Sequence, residues 1–220
     1  MGELAGRVRF YGDPGAETAL IQCVDEHDLE GMDEELRALR ALTDAPFSLA
    51  AVRVADWNRD LSPWEAPPVF GRTPFGGGAA ATLEALEREA LPALSRRKKL
   101  IGGYSLAGLF ALWAACESDA FDGVAAASPS VWFPGWAEYR QGHPLRAPLC
   151  SLSLGDREEK ARNPVRARVG DALRKERAML EAEGVRCALE WNNGNHFQDA
   201  PLRTAKAFAW LLNAARVHKH

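Results

Sequence analysis

The sequence predicts an open three-layer α/β fold, with a mostly parallel central sheet and helices on both faces, in one domain spanning 1–220. Three observations predict it. A chain of 220 residues can bury a continuous core without disulfide or metal staples. Short apolar runs alternate along it with segments whose apolar residues recur near a 3.6 period. Several of those runs, notably Thr18–Val24 and Gly123–Ala127, are apolar throughout instead of alternating, as strands buried on both faces are.

The elements follow in chain order. Arg7–Tyr11 reads as a strand at an antiparallel edge, and Thr18–Val24 as the first buried strand. Met32, Leu36 and Leu39 then mark a helix face with Asp28 available as its N-cap. Phe47–Ala55 is the next strand. Leu83, Leu86, Ala90, Leu91 and Leu94 form a helical stripe, leading to the strand Lys99–Gly103 and a helix over Leu106–Cys116. Gly123–Ala127 and Leu149–Leu154 are further strands. A stripe of Val165, Val169, Leu173, Met179 and Leu180 precedes the last strand, Val185–Trp191, and Leu202, Ala205, Phe208, Ala209 and Leu212 mark the last helix.

Two stretches break the alternation as loop insertions, at 56–78 and 128–148. The first holds Pro63, Pro67, Pro68, Pro74 and the triplet Gly76-Gly77-Gly78 among Trp57, Trp64, Phe70 and Phe75; the second holds Trp132, Phe133, Trp136 and Tyr139. Aromatic content of this kind needs packing partners, and both stretches follow strands. In a parallel sheet that puts them at the carboxyl edge, where ligands bind. Some of these aromatics are expected to anchor the loops, and Trp57, Trp64, Trp132 and Trp136 are candidates for a pocket wall.

Charge and composition narrow the function classes. With 47% apolar and 26% charged residues the chain reads as an ordinary globular protein. Lysine plus arginine (27) against aspartate plus glutamate (30) leaves −3, which gives no electrostatic drive toward nucleic acid or an anionic membrane. No apolar run approaches the roughly 20 residues needed to span a bilayer, and Met1–Phe10 lacks the charged-then-apolar order of a secretion signal, so a cytoplasmic location is the simplest expectation. Cys23, Cys116, Cys150 and Cys187 are scattered with no C-x-x-C pair and read as buried, reduced thiols. The tail His218-Lys219-His220 is too short for a metal tract, and no metal or organic cofactor is implied.

The chemistry centres on Gly102-Gly103-Tyr104-Ser105-Leu106-Ala107-Gly108, which runs from a strand directly into a helix. A serine on so tight a turn is lifted clear of the sheet, and small neighbours keep strand and helix from colliding; this is the arrangement of a nucleophile elbow, with Ala107 in the last place of G-x-S-x-G. Such a serine needs a base. Of the downstream histidines His143 lies in an insertion and His218 at the end of the chain, whereas His196 sits in Asn192-Asn193-Gly194-Asn195-His196-Phe197, between the last strand and the last helix. The acid that orients it is expected after the preceding strand, where Gly155-Asp156-Arg157-Glu158-Glu159 offers three carboxylates. Glu158 stands far enough past the glycine to turn back; Asp156 and Glu159 remain open. The backbone N–H of Leu106 is one oxyanion donor, and the other is expected near Asp25, Glu26 and His27, with Glu26 or His27 the residue named.

These residues resemble the α/β-hydrolase superfamily, in its group of serine esterases that includes enterochelin esterase-like and S-formylglutathione hydrolase-like proteins. Beyond the elbow, the resemblance rests on Phe121-Asp122-Gly123, Ala127-Ser128-Pro129-Ser130-Val131-Trp132, Gly155-Asp156-Arg157-Glu158 and Gly194-Asn195-His196-Phe197, in family order between about 100 and 210. It implies Ser105 as nucleophile, His196 as base and Glu158 as acid, and an N-terminus shortened by one or both of the usual first two strands. The expectation is a carboxylesterase acting on a small-molecule ester through an acyl-enzyme. A catalytically idle binding protein of the same fold and an acyltransferase are the alternatives, and the oligomeric state is left open.

Overall fold

In the computed structural model, which describes residues 6–69, 71–94, 97–160 and 163–216, the strands are β1 (Val8–Gly12), β2 (Thr18–Val24), β3 (Ser48–Arg53), β4 (Glu65–Ala66), β5 (Phe75–Gly76), β6 (Lys98–Tyr104), β7 (Gly123–Ala127), β8 (Leu149–Gly155) and β9 (Arg186–Asn192). Seven of them form one sheet in the order β1-β3-β2-β6-β7-β8-β9, and β4 with β5 makes a separate two-stranded ribbon. Only β1 runs antiparallel in the large sheet, pairing with β3 at one edge. The others are parallel. From β2 the chain moves outward to β3 and then returns to β6 on the opposite side of β2, so the connections diverge between β2 and β6. That point of reversal is where an open parallel sheet leaves a crevice.

The helices are α1 (Glu26–Leu42), α2 (Trp57–Asp60), α3 (Ala79–Ala85), α4 (Leu106–Glu117), α5 (Trp136–Arg140), α6 (Pro164–Ala167), α7 (Val169–Ala182) and α8 (Ala200–Arg216). Alternate side chains of the buried strands feed two cores. Leu20, Leu49 and Leu100 meet Met32 and Leu39 of α1 and Phe208 of α8 on one face. Ile21, Val52 and Ile101 meet α3, α4 and α7 on the other. Helix α4 is buried from Leu106 through Cys116, because the loop segments cover the side turned away from the sheet. Cys23, Cys116 and Cys150 are buried, Cys187 is half-buried, and all four are free. No helix among the described residues is long and apolar enough to cross a membrane.

The structure departs from the sequence expectations in four places. The cap of α1 is Asp25, not Asp28; Asp28 is the third helical residue and completes a capping box with it. The stripe 83–94 is not one helix: a π-turn over Leu86–Ala90 and a 3₁₀ turn over Leu91–Leu94 follow α3. Pro92 has no N–H to continue the ladder and crowds the carbonyl four residues back. Val165 is exposed and Met179 only partly buried, while Glu176 takes the inward place on α7. On α8, similarly, Leu202 faces out and Arg203 in.

Glu176 is accommodated because it accepts from Arg140 Nε at 2.7 Å and from Trp136 Nε1 at 3.0 Å, tying the 128–148 insertion to α7. Glu35 has a poorer setting. It is buried, accepts only from Gln22 Nε2 at 3.3 Å, and leaves its Oε1 without a partner among the described residues. Burial outweighs the Gln22 bond and raises its pKa to about 8. The folded protein therefore holds a proton that the unfolded chain releases from about pH 4.5 upward, so stability falls as pH rises from there to about 8. Glu35→Gln removes that slope. Urea unfolding should find the variant little changed at pH 4.5 and a few kcal/mol more stable than the parent at pH 8; equal gains at both values would refute this account.

Candidate active site

The elbow is built by close approaches of the backbone around Ser105. Ser105 has φ 56° and ψ −118°, a conformation a non-glycine residue adopts only under constraint. The constraint is visible: Ser105 N–H donates to Ala127 O at 3.0 Å, and Ser130 N–H donates to Ser105 O at 3.0 Å. A Cβ on Gly103 would lie 2.6 Å from the Cβ of Ala107, and one on Gly102 would strike Ala125 and Phe208 at 2.6–2.7 Å. Ala107 thus fits at the end of the motif because the glycine opposite it gives way. Gly155 ends β8 for a similar reason: a Cβ there would be 2.4 Å from Gly194 O in the loop that carries the histidine.

Three sequence-predicted residues come together across these loops. His196 Nε2 lies 2.9 Å from Ser105 Oγ, and His196 Nδ1 lies 2.7 Å from Glu158 Oε2. The other two carboxylates do different things. Asp156 accepts from Gly194 N–H at 2.8 Å and so shapes the histidine loop, while Glu159 pairs with Arg174 at 3.1 Å on the surface. His143 stacks on Tyr139 with ring centres 4.0 Å apart. His218 lies outside the described residues.

Glu158 is buried, and its second oxygen is saturated. Oε1 accepts from Ser128 Oγ at 2.7 Å, from Gly155 N–H at 2.8 Å and from Arg203 Nη1 at 3.1 Å. Burial pushes the carboxyl pKa up, but His196, the Ser128 hydroxyl and the Gly155 N–H outweigh it and hold it below the ordinary glutamate range. Ionised, Glu158 can only accept, so the imidazole hydrogen belongs on Nδ1 and leaves Nε2 as the acceptor facing Ser105.

Arg203 and Tyr104 were not singled out from the sequence, yet they tie Glu158 to the segment that carries His196. The Arg203 side chain is 1% exposed. Its Nη1 also donates to Tyr104 OH at 3.1 Å, and its Nη2 to Asn193 O at 2.9 Å. Tyr104 in turn donates to His196 O at 2.8 Å, and burial raises the phenol's pKa so that it keeps the donated hydrogen. Ser128, in left-handed backbone at φ 43°, likewise had no role assigned beyond its motif. A signal existed for these two: both serine and tyrosine lie in the blocks that carry the family resemblance. Arginine in an apolar-period helix gives none.

The serine and histidine open into a cavity of about 200 Å³ lined by Trp57, Asn58, Phe75, Leu106, Ser130, Trp132 and Phe197. Of the four candidate tryptophans, Trp57 and Trp132 are among these lining residues. Trp64 and Trp136 are not: Trp64 packs on Phe133 and Tyr139 with its Nε1 donating to Pro134 O at 2.8 Å, and Trp136 is buried on Glu176. Leu106 follows Ser105 as the first residue of α4 and lines the cavity. Glu26 begins α1, with its carboxylate 2.7 Å from Arg53 Nε and its side chain 65% exposed, and neither it nor His27 lines the cavity. A wider cleft of about 370 Å³ beyond α2, bordered by Arg7, Arg53 and Arg59, holds no serine, histidine or cysteine among the described residues. Among the described residues no cluster of histidine, cysteine and carboxylate side chains is suited to a metal.

An IroE-like serine hydrolase from Shewanella oneidensis superposes with a TM-score of 0.74 at 16% identity, covering 94% of this chain and 75% of the other. This is the α/β-hydrolase fold. The siderophore hydrolase EstA from Aspergillus nidulans matches with a TM-score of 0.66 at 20% identity, over 94% of this chain and 89% of its own. A carboxylesterase from Bacillus cereus matches at 0.60 and 17% identity, over 93% of each chain. No family model and no curated protein sequence matches the chain. Within the α/β-hydrolase fold, the elbow after β6 and the histidine after β9 stand at the carboxyl edge of the sheet, beside the point of reversal.

Proposed function

We propose that the protein is a serine esterase that cleaves a small-molecule ester through an acyl-enzyme. The observation that carries this reading is the unbroken line Ser105 Oγ to His196 Nε2 at 2.9 Å and His196 Nδ1 to Glu158 at 2.7 Å, opening into a cavity. In this reading Ser105 Oγ attacks the ester carbonyl as its proton passes to His196 Nε2, and the carbonyl π pair moves onto oxygen to form the oxyanion. Leu106 N–H donates to it. The tetrahedral species collapses, the C–O bond to the alcohol breaks, and His196 returns the proton to the leaving oxygen. Water, deprotonated by His196, repeats the sequence on the acyl-enzyme and frees the acid.

Trp57, Phe75, Trp132 and Phe197 supply aromatic walls, and apart from His196 no ionisable side chain lines the cavity among the described residues. This favours an uncharged acyl group of modest size. The structural relatives include proteins described as a siderophore hydrolase and a carboxylesterase; hydrolysis is common to the two, and the second is named for ester cleavage. Strain held at Ser105 favours catalysis over mere binding, since an idle pocket has no use for it. A fluorophosphonate probe tests the assignment: intact protein should gain the mass of one phosphonyl group, mapped by peptide sequencing to Ser105. No uptake, or uptake at another serine, would remove the basis for an activated nucleophile.

A further inference from the structure

The segment after β7, Ser128-Pro129-Ser130, has one serine on the acid and one on the nucleophile. Ser128 Oγ donates to Glu158, and Ser130 Oγ lies 3.4 Å from Ser105 Oγ. Ser130 is 1% exposed yet lines the cavity. No other hydrogen bond of its hydroxyl occurs among the described residues. We propose that Ser130 is a further catalytic residue, whose hydroxyl donates first to Ser105 Oγ and then to the oxyanion, as the donor that partners Leu106 N–H.

The direction of the contact follows from the proton inventory of the site. Ionised Glu158 places the imidazole hydrogen on Nδ1, and Nε2 must then accept from Ser105. The one hydrogen of Ser105 is therefore committed to His196. In the pair of serine oxygens only Ser130 has a hydrogen left to give, which makes Ser130 the donor of the 3.4 Å contact.

Once Ser105 Oγ is bonded to the acyl carbon it has lost its proton and shares its lone pairs with the new centre, so it becomes a poor acceptor. The oxyanion forms one bond further, on the carbonyl carbon, and carries a full charge. A hydroxyl rotates about a single bond, so Ser130 can follow the charge without moving its oxygen. Its position is fixed by the same backbone bond that bends the elbow, Ser130 N–H to Ser105 O at 3.0 Å. A donor pinned before the reaction and aimed where charge develops is what stabilises such a transition state. No covalent bond to Ser130 is formed or broken at any stage.

The proposal rests on the esterase reading, and the test separates the two. Initial rates on p-nitrophenyl butyrate are measured for the parent, Ser130→Ala and Ser130→Cys, together with inhibition by a trifluoromethyl ketone, which forms a tetrahedral adduct on the nucleophile. Ser130→Ala should lower kcat by about 100-fold with KM within about threefold, the pattern of a group felt in the transition state, and should weaken the ketone by a similar factor. Ser130→Cys, of similar size but a weak donor, should behave like Ser130→Ala and serves if the alanine variant does not fold. A parent that hydrolyses the ester while a folded variant stays within about threefold of it in kcat and in ketone affinity overturns the role of Ser130 alone. A parent with neither turnover nor ketone inhibition overturns the esterase reading and this proposal together.

Discussion

Ser105→Ala and His196→Ala should each abolish p-nitrophenyl ester turnover, by about 10⁵- to 10⁶-fold, and the double variant should be no worse than either alone. The non-additivity is the informative part. Ser105 is useful only while His196 takes its proton, and His196 only while Ser105 presents one at 2.9 Å, so removing either partner removes the whole step. The activity left should exceed that of water because Leu106 N–H and the cavity still act on the bound ester. Glu158→Gln belongs to the same series with a smaller loss, about 10⁴-fold, since an amide keeps much of the packing but cannot accept from Nδ1 as a carboxylate does. Steady-state kinetics on purified variants settle each value. Independent, multiplying losses from Ser105 and His196 would contradict a shared proton.

Removing Arg203 should damage stability and activity together. Arg203→Met leaves Glu158 in the interior with one donor fewer, and cutting one partner from a buried ion pair costs about 3–5 kcal/mol. Glu158 keeps His196, Ser128 and Gly155 as donors, which places the expectation near the lower end. For a chain of this size that is a fall in Tm of roughly 10 °C by scanning calorimetry. Activity should fall further than the unfolded fraction accounts for, because the same guanidinium holds Asn193 O and Tyr104 OH, and Tyr104 holds the backbone of His196. Arg203→Lys, a point charge in place of a fork, should recover part of the stability and less of the rate. A Tm within about 2 °C of the parent would show that the ion pair contributes little.

Much of this site is legible in the sequence, and what is not has a physical reason. All seven strands of the large sheet were read to within two residues at either end, because strands buried on both faces leave unbroken apolar runs between turn residues. The order serine, acid, histidine places three side chains at one sheet edge once the strands are parallel, and Glu158 is the carboxylate that reaches His196. Direction within an element was harder to read. Arg203 and Glu176 sit in apolar stripes where a charge is ordinarily assigned to the solvent face, and only their tertiary partners reveal that they turn inward. The tryptophans show the same limit: composition marks 56–78 and 128–148 as aromatic loops, but nothing local says that Trp57 and Trp132 face the serine while Trp64 and Trp136 anchor the loops. The second oxyanion donor was sought after β2, where α1 begins at Glu26 and leaves Asp25 alone to link them.

Trp132 stands in a segment that is not separable from the rest of the chain. Arg140 reaches both Glu176 and Glu183, Leu145 N–H also donates to Glu183, and Trp136 donates to Glu176. Loop grafting aimed at a different acyl preference would, if it replaced 128–148 alone, strand two carboxylates on α7 and its end without their counter-charges. The transplantable unit is therefore larger than the loop, and a chimera has to inherit positions 176 and 183 along with the new walls.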